Sequence, residues 1–191
     1  MVTLLYPPHM TSVDNEAGLA SGHADVPLSA IGRRQAAELG RHYATEAPVA
    51  IFCSDLQRAL TTAQIAFAAR GLRPVPDARL RECDYGDLTP RPAAEVDAEW
   101  PRRVTEPFPH GESLCMAVQR LGAFLRDLCR EYHGTTVVVI GHRATKYGLA
   151  YWSSGASLED IVRTAWEWRR IPIWRYELTA RALERRSAAP G

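Results

Sequence analysis

The chain of 191 residues sets 23 Lys and Arg against 22 Asp and Glu, for a formal charge of +1, with 46% hydrophobic residues. That balance supplies no field for nucleic acid or an anionic membrane, so neither is expected as a partner. A chain of this length is expected to form one domain over residues 1–191, and a small anion would be held by a local cluster of arginines.

The chain has no apolar window near the roughly 20 residues that span a bilayer, and no basic stretch followed by a signal-type apolar run. The four cysteines, Cys53, Cys83, Cys115 and Cys129, form no CxxC pair. Reduced thiols in the cytoplasm are the expectation, with neither a disulfide framework nor a zinc site.

In chain order, the apolar run VTLLYP reads as a buried strand that stops at His9, just after Pro7-Pro8. Residues 32–45 carry apolar and Ala positions at helical spacing. VAIFCS is a second buried strand, followed by a helix over residues 55–70. That helix is expected to be capped by Ser54 or Asp55 and stopped near Gly71. The Pro-rich residues 88–111 read as an insertion of loop and short helix covering the sheet edge. Residues 111–134 form a long amphipathic helix, TTVVVIGH is the strongest strand, and RATKYGLAYW follows as another helix. The small, polar residues 184–191 are expected to fray.

Strands alternating with helices predict an α/β fold, a three-layer α/β/α sandwich around a mostly parallel sheet. In such sheets ligands bind at the carboxyl ends of the strands. Those ends deliver His9, then Ser54 with Arg58 one turn on, then Glu82 in RLREC, and finally His142-Arg143. Taken singly, each has a plain structural role: a hydrogen-bonded histidine, a solvated arginine, a surface carboxylate. Together they supply nucleophile, anion clamp and proton donor, the requirements of phosphoryl transfer through histidine.

The motifs resemble the histidine phosphatase superfamily, the phosphoglycerate-mutase-like proteins, over most of the chain. PHMTSVDN is similar to the family's opening Arg-His-Gly-Glu-Ser/Thr with its later Asn. GHADVPLSAIGRRQA, SDLQRALTTA, LRECDYG and HGESLCMAVQRLGAFL followed by TTVVVIGH resemble its later segments. The resemblance implies His9 as nucleophile, Glu82 as general acid and base, and His142 as second active-site histidine. It likewise implies Arg58 and Asn15 as phosphate ligands and needs no cofactor or metal. The implied reaction hydrolyses a small phosphorylated metabolite through a phosphohistidine.

Three departures stand at the opening motif. Pro8 replaces the arginine before the nucleophile, Met10 the glycine after it, and Thr11 the usual Glu. Losing one charge-assisted contact costs about 1.5–3 kcal/mol. Arg143 stands where relatives commonly carry a small residue, and is the candidate to restore that charge; pairing on its own helix is the competing expectation. Arg79 and Arg81 are further candidates. Met10, Tyr6 and Tyr85 are candidates for an apolar wall, with simple packing preferred for Met10. The leaving-group half is expected from residues 88–111 and the C-terminal segment. Trp100, Trp166, Trp168 and Trp174 have no placement from sequence.

A second reading, from another class, is a degenerate member that binds a phosphorylated ligand or protein without turnover. A mutase ranks below the phosphatase because the chain is short. A cysteine phosphatase is set aside, since Cys53 and Arg58 enclose only four residues. A serine triad is set aside because no GxSxG elbow is present. Oligomeric state is left open.

Overall fold

TTVVVIGH is apolar without alternation because the strand it forms is covered on both faces. In the computed structural model, which describes residues 1–164 and 173–188, this strand is one of five in a central sheet. The elements run β1 (Val2–Tyr6), α1 (Val13–Glu16), β2 (Leu19–Ala20), α2 (Ala30–His42), β3 (Ala50–Cys53), α3 (Gln57–Phe67), β4 (Val75–Pro76) and β5 (Arg91–Pro92). They continue through α4 (Ala93–Glu99), α5 (Leu114–Glu131), β6 (Thr136–Ile140), α6 (Arg143–Ser154), α7 (Leu158–Arg163), β7 (Trp174–Leu178) and α8 (Ala180–Ala188).

The sheet order is β4-β3-β6-β1-β7. The first four strands are parallel, and β7 pairs antiparallel with β1. Val137 and Val139 join the core beneath α5 and α6, while Val138 and Ile140 join the core beneath α2 and α3. Period-two alternation thus divides one apolar run between two cores, which gives the three-layer α/β/α sandwich with a mostly parallel sheet. β7 had no sequence expectation, because WRYEL carries charges at its exposed positions and pairs along one edge only. β2 and β5 form a separate two-stranded ribbon. Among the described residues, no helix is long and apolar enough to cross a membrane.

Helix boundaries differ from expectation where the caps come from elsewhere. α2 begins at Ala30 because the Ser29 side chain accepts from Gly32 N–H. α3 begins at Gln57 with Leu56 as N-cap. Asp55 is instead tied to Arg81, and Asp25, 32 residues away, accepts from Gln57 N–H at 2.7 Å. Ser54 does contribute, accepting from Leu56 N–H. A short 3-10 turn over Ala68–Arg70 follows, and Gly71 ends it at φ +68°. The tail expected to fray is helical to Ala188, anchored by the fully buried Leu183; residues 189–191 lie outside the described chain.

The carboxyl ends of β1, β6 and β3 are stitched side by side. His9 N–H donates to Gly141 O at 2.9 Å, and Ser54 N–H donates to Ile140 O at 3.0 Å. Pro8 therefore fits: it lacks only an N–H, and His9 supplies the next donor in the ladder. The loop after His9 lies against α2, where a Cβ on Gly32 would sit 2.0 Å from Thr11 O. Gly32→Ala is expected to lower stability by about 2–3 kcal/mol, since a backbone carbonyl cannot swing aside. The urea midpoint of unfolding checks this; an unchanged midpoint refutes the packing described.

Candidate active site

His9 is fixed by the chain on either side of it. Its Nδ1 lies 2.8 Å from Met10 O, and a carbonyl only accepts, so Nδ1 carries the proton and the Nε2 lone pair is free. Met10 N–H donates to Thr62 Oγ1, whose own hydroxyl donates to Arg58 O, so the loop is bound to α3. Gln35 Oε1 accepts from both Thr11 N–H and Thr11 Oγ1. The Gly-x-x-Gln motif of α2 thus holds the nucleophile's loop. Burial, and next the Arg58 charge, lower the His9 pKa to about 3, against a smaller opposite effect of the Met10 carbonyl.

Arg58 stands in the first turn of α3 and is only 2% exposed. Its Nη2 donates to Gly22 O and its Nη1 to Ala24 O, each at 2.8 Å. These contacts aim the guanidinium into the same cavity as His9. Burial lowers its pKa, with the Glu82 carboxylate acting against that. Asn15 also lines the cavity. Its Oδ1 accepts from Ser12 N–H in a capping box, which leaves the NH2 of its amide for a ligand.

His142 is 1% exposed, and neither ring nitrogen has a hydrogen-bond partner. Its ring centroid is 4.9 Å from that of His9, with the planes at 55°. Burial, then Arg58 and His9, push its pKa well below the ordinary histidine value. A buried polar group left unpaired costs about 1–3 kcal/mol, so these nitrogens are strong candidates for a ligand's oxygens.

Glu82 is brought to the site by the start of α6. Oε1 accepts from Cys83 N–H at 2.9 Å and Ala144 N–H at 3.0 Å; Oε2 accepts from Arg143 N–H at 3.1 Å. Three donors fill three of the carboxylate's roughly four lone-pair positions, which leaves one on Oε2 open. The backbone of Glu82 is held too. Glu82 O accepts from Arg120 Nη2 at 2.7 Å and lies 2.8 Å from His23 Nε2. Arg120 also donates to Arg79 O and Arg81 O, and pairs with Glu112. Sequence reasoning missed Arg120 and His23, since their contacts are to carbonyls that no pattern reveals.

The cavity joining these groups measures about 100 Å³. By this measure a water needs roughly 10–15 Å³, so the space admits several, room for a phosphoryl group and a short leaving group. Leu19, Ala20, Ala93 and Val96 form its apolar wall, with Tyr85 and Pro8 beside them. Ala93, Val96 and Asp97 of the expected insertion thus line it, while none of the described residues beyond Arg143 does.

Arg143 lines the cavity, and its Nη1 pairs with Asp97 Oδ1 on α4. Burial lowers its pKa, but Tyr85 and Asp97 more than offset this and hold it above the usual arginine value. Arg143 thus stands among the residues that line the crevice, and its guanidinium is paired with α4 and not with its own helix. Arg79 pairs with Asp77 and Asp127, and Arg81 with Asp55, so neither lines the cavity. Met10 packs in the core beneath α2 and α3, and Tyr6 donates to His142 O from a fully buried position. Of the proposed wall, Tyr85 alone lines the cavity. Trp100 packs against Tyr85, Phe108 and Tyr147, and Trp174 lies on β7. Trp166 and Trp168 lie outside the described residues.

The two depressed histidines predict a pH dependence of stability. The unfolded chain accepts protons near the ordinary value of 6.5, and the folded chain declines them until His9 titrates at about 3. Stability is therefore complete above about pH 6.5 and is lost as pH falls from there toward 3, because the unfolded state binds more protons. Urea unfolding from pH 8 to pH 4 measures this. A midpoint that does not fall below pH 6.5, or that falls as steeply in a His142→Gln chain, refutes it.

A neutral imidazole with a free lone pair, an unpartnered second imidazole, a buried guanidinium and a carboxylate with one open position can together pass a phosphoryl group through histidine. The family description "Histidine phosphatase superfamily (branch 1)" matches residues 9–187, and the chain belongs to this family. It is 32% identical over 150 residues to phosphoserine phosphatase 1 of Hydrogenobacter thermophilus, covering 74% of this chain and 71% of the relative. It is 34% identical over 143 residues to "Probable phosphoglycerate mutase GpmB" of Yersinia enterocolitica, covering 70% of this chain and 66% of that one. Among solved structures, a mycobacterial glucosyl-3-phosphoglycerate phosphatase in complex with VO3 has a TM-score of 0.76 at 26% identity, over 84% of this chain and 85% of the other. With phosphatases among both kinds of relative, the chain is a phosphoric monoester hydrolase of this family.

Proposed function

We propose that the protein hydrolyses a small-molecule phosphomonoester through a phosphohistidine on His9. The observation that carries this is the pairing of a free His9 Nε2 with two unpartnered His142 nitrogens in one cavity with Arg58 and Glu82. His9 Nε2 attacks phosphorus, the bond to the leaving oxygen breaks, and Glu82 delivers its proton to that oxygen. The Met10 carbonyl steadies the charge that develops on the ring through Nδ1–H. Water then attacks the phosphohistidine while Glu82 takes its proton, and orthophosphate leaves. Arg58, His142 and the Asn15 amide bind the equatorial oxygens, which need charge compensation more than covalent help. Arg143 supplies the cation that Pro8 lacks. The cytoplasm is the proposed compartment, in keeping with four free cysteines.

Pro8 favours a second reading, a member that binds phosphorylated ligands without turnover. The open position on Glu82 weighs against it, because a binder needs no aligned proton donor. Steady hydrolysis of p-nitrophenyl phosphate supports the phosphatase, whereas measurable phosphate affinity without any turnover supports the binder.

A further inference from the structure

The cation that stands in for the lost arginine is not free in the resting site. Arg143 is held by Asp97, whose carboxylate projects from α4 at the cavity wall with half its side chain exposed. Arg143 is balanced by Asp97, and both histidines sit neutral. An arriving phosphoryl dianion competes for Arg143, and as the guanidinium turns to it, Asp97 loses its partner. An unpaired carboxylate then faces the leaving group across a cavity of about 100 Å³. Such a group repels a second anion on the leaving alcohol and attracts a cation. Of the remaining wall, Leu19, Ala20, Ala93 and Val96 offer apolar contact, and Ser21 and Tyr85 carry hydroxyls but no charge.

We propose that Asp97 is a specificity residue, and that the site prefers phosphomonoesters of small amino alcohols, whose ammonium takes the place of Arg143 on Asp97. This rests on the phosphatase reading of the same cavity. It also selects against phosphorylated hydroxy acids, whose carboxylate would meet Asp97 directly.

Three probes of nearly equal size test this: O-phosphoethanolamine, n-propyl phosphate and phosphoglycolate carry an ammonium nitrogen, a methyl carbon and carboxylate oxygens four bonds from phosphorus. The kcat/KM values are expected to fall in that order, by about tenfold for each step, the scale of one charge-assisted contact. In Asp97→Asn the order is expected to collapse to ratios near one. Equal values in the parent chain, a preference for phosphoglycolate, or an order that survives Asp97→Asn would overturn the proposal. If no probe is turned over, the phosphatase reading fails by itself. The same ratios are then read as dissociation constants by calorimetry, where ammonium-first binding that Asp97→Asn abolishes supports the specificity role and any other order refutes it.

Discussion

His9→Ala is expected to abolish hydrolysis of p-nitrophenyl phosphate, by at least about 10⁴-fold in kcat, the scale on which loss of a nucleophile acts. The imidazole does work that no neighbour replaces. Its Nε2 is the free lone pair, and burial keeps the ring neutral well below pH 7. His142 does not substitute, since it stands 4.9 Å away between ring centroids and follows a different strand. The fold tolerates the change. His9 N–H still donates to Gly141 O, and Met10 O loses one hydrogen bond worth about 1 kcal/mol. A folded His9→Ala chain with undiminished turnover would remove His9 from the chemistry.

Glu82→Gln is expected to split by leaving group. An alkyl phosphate needs the proton that Glu82 delivers, and should lose about 10²–10⁴-fold in kcat. Nitrophenolate leaves without a proton, so phosphorylation of His9 persists while attack by water loses its base. Rapid mixing with p-nitrophenyl phosphate should therefore release about one nitrophenolate per chain, followed by a slow steady state. Equal losses on both substrates with no burst would contradict the assigned role. The amide keeps one acceptor where the carboxylate took three backbone donors, so a modest loss of stability is also expected. A thermal melt separates that loss from the kinetic effect.

The parts legible in the sequence were those the sheet itself delivers. His9, Arg58 and His142 each follow a strand whose apolar run is unmistakable, and parallel pairing brings those strand ends together. Glu82 follows the two-residue β4 by six residues, a strand too short to show as an apolar run, so its motif alone marked it; only the structure shows how the α6 amides hold it. Arg143 was readable as an unusual residue in the crevice, but its partner was not. Asp97 lies 46 residues away on a helix among Pro-rich loops, and no periodicity links the two. Likewise Asp25 caps α3 from 32 residues away, where Ser54 and Asp55 were the local choices. Local caps and apolar periods are written in neighbouring residues. Ion pairs and carbonyl contacts across loops arise only once the chain has closed.

The most direct measurement is rapid quench of the parent chain with a ³²P-labelled phosphomonoester, followed by mapping of the labelled residue. The account predicts an acid-labile phosphate on His9, formed and lost at rates consistent with turnover, and absent from His9→Ala. Turnover without any phosphoprotein, or label retained in the His9→Ala chain, would contradict it.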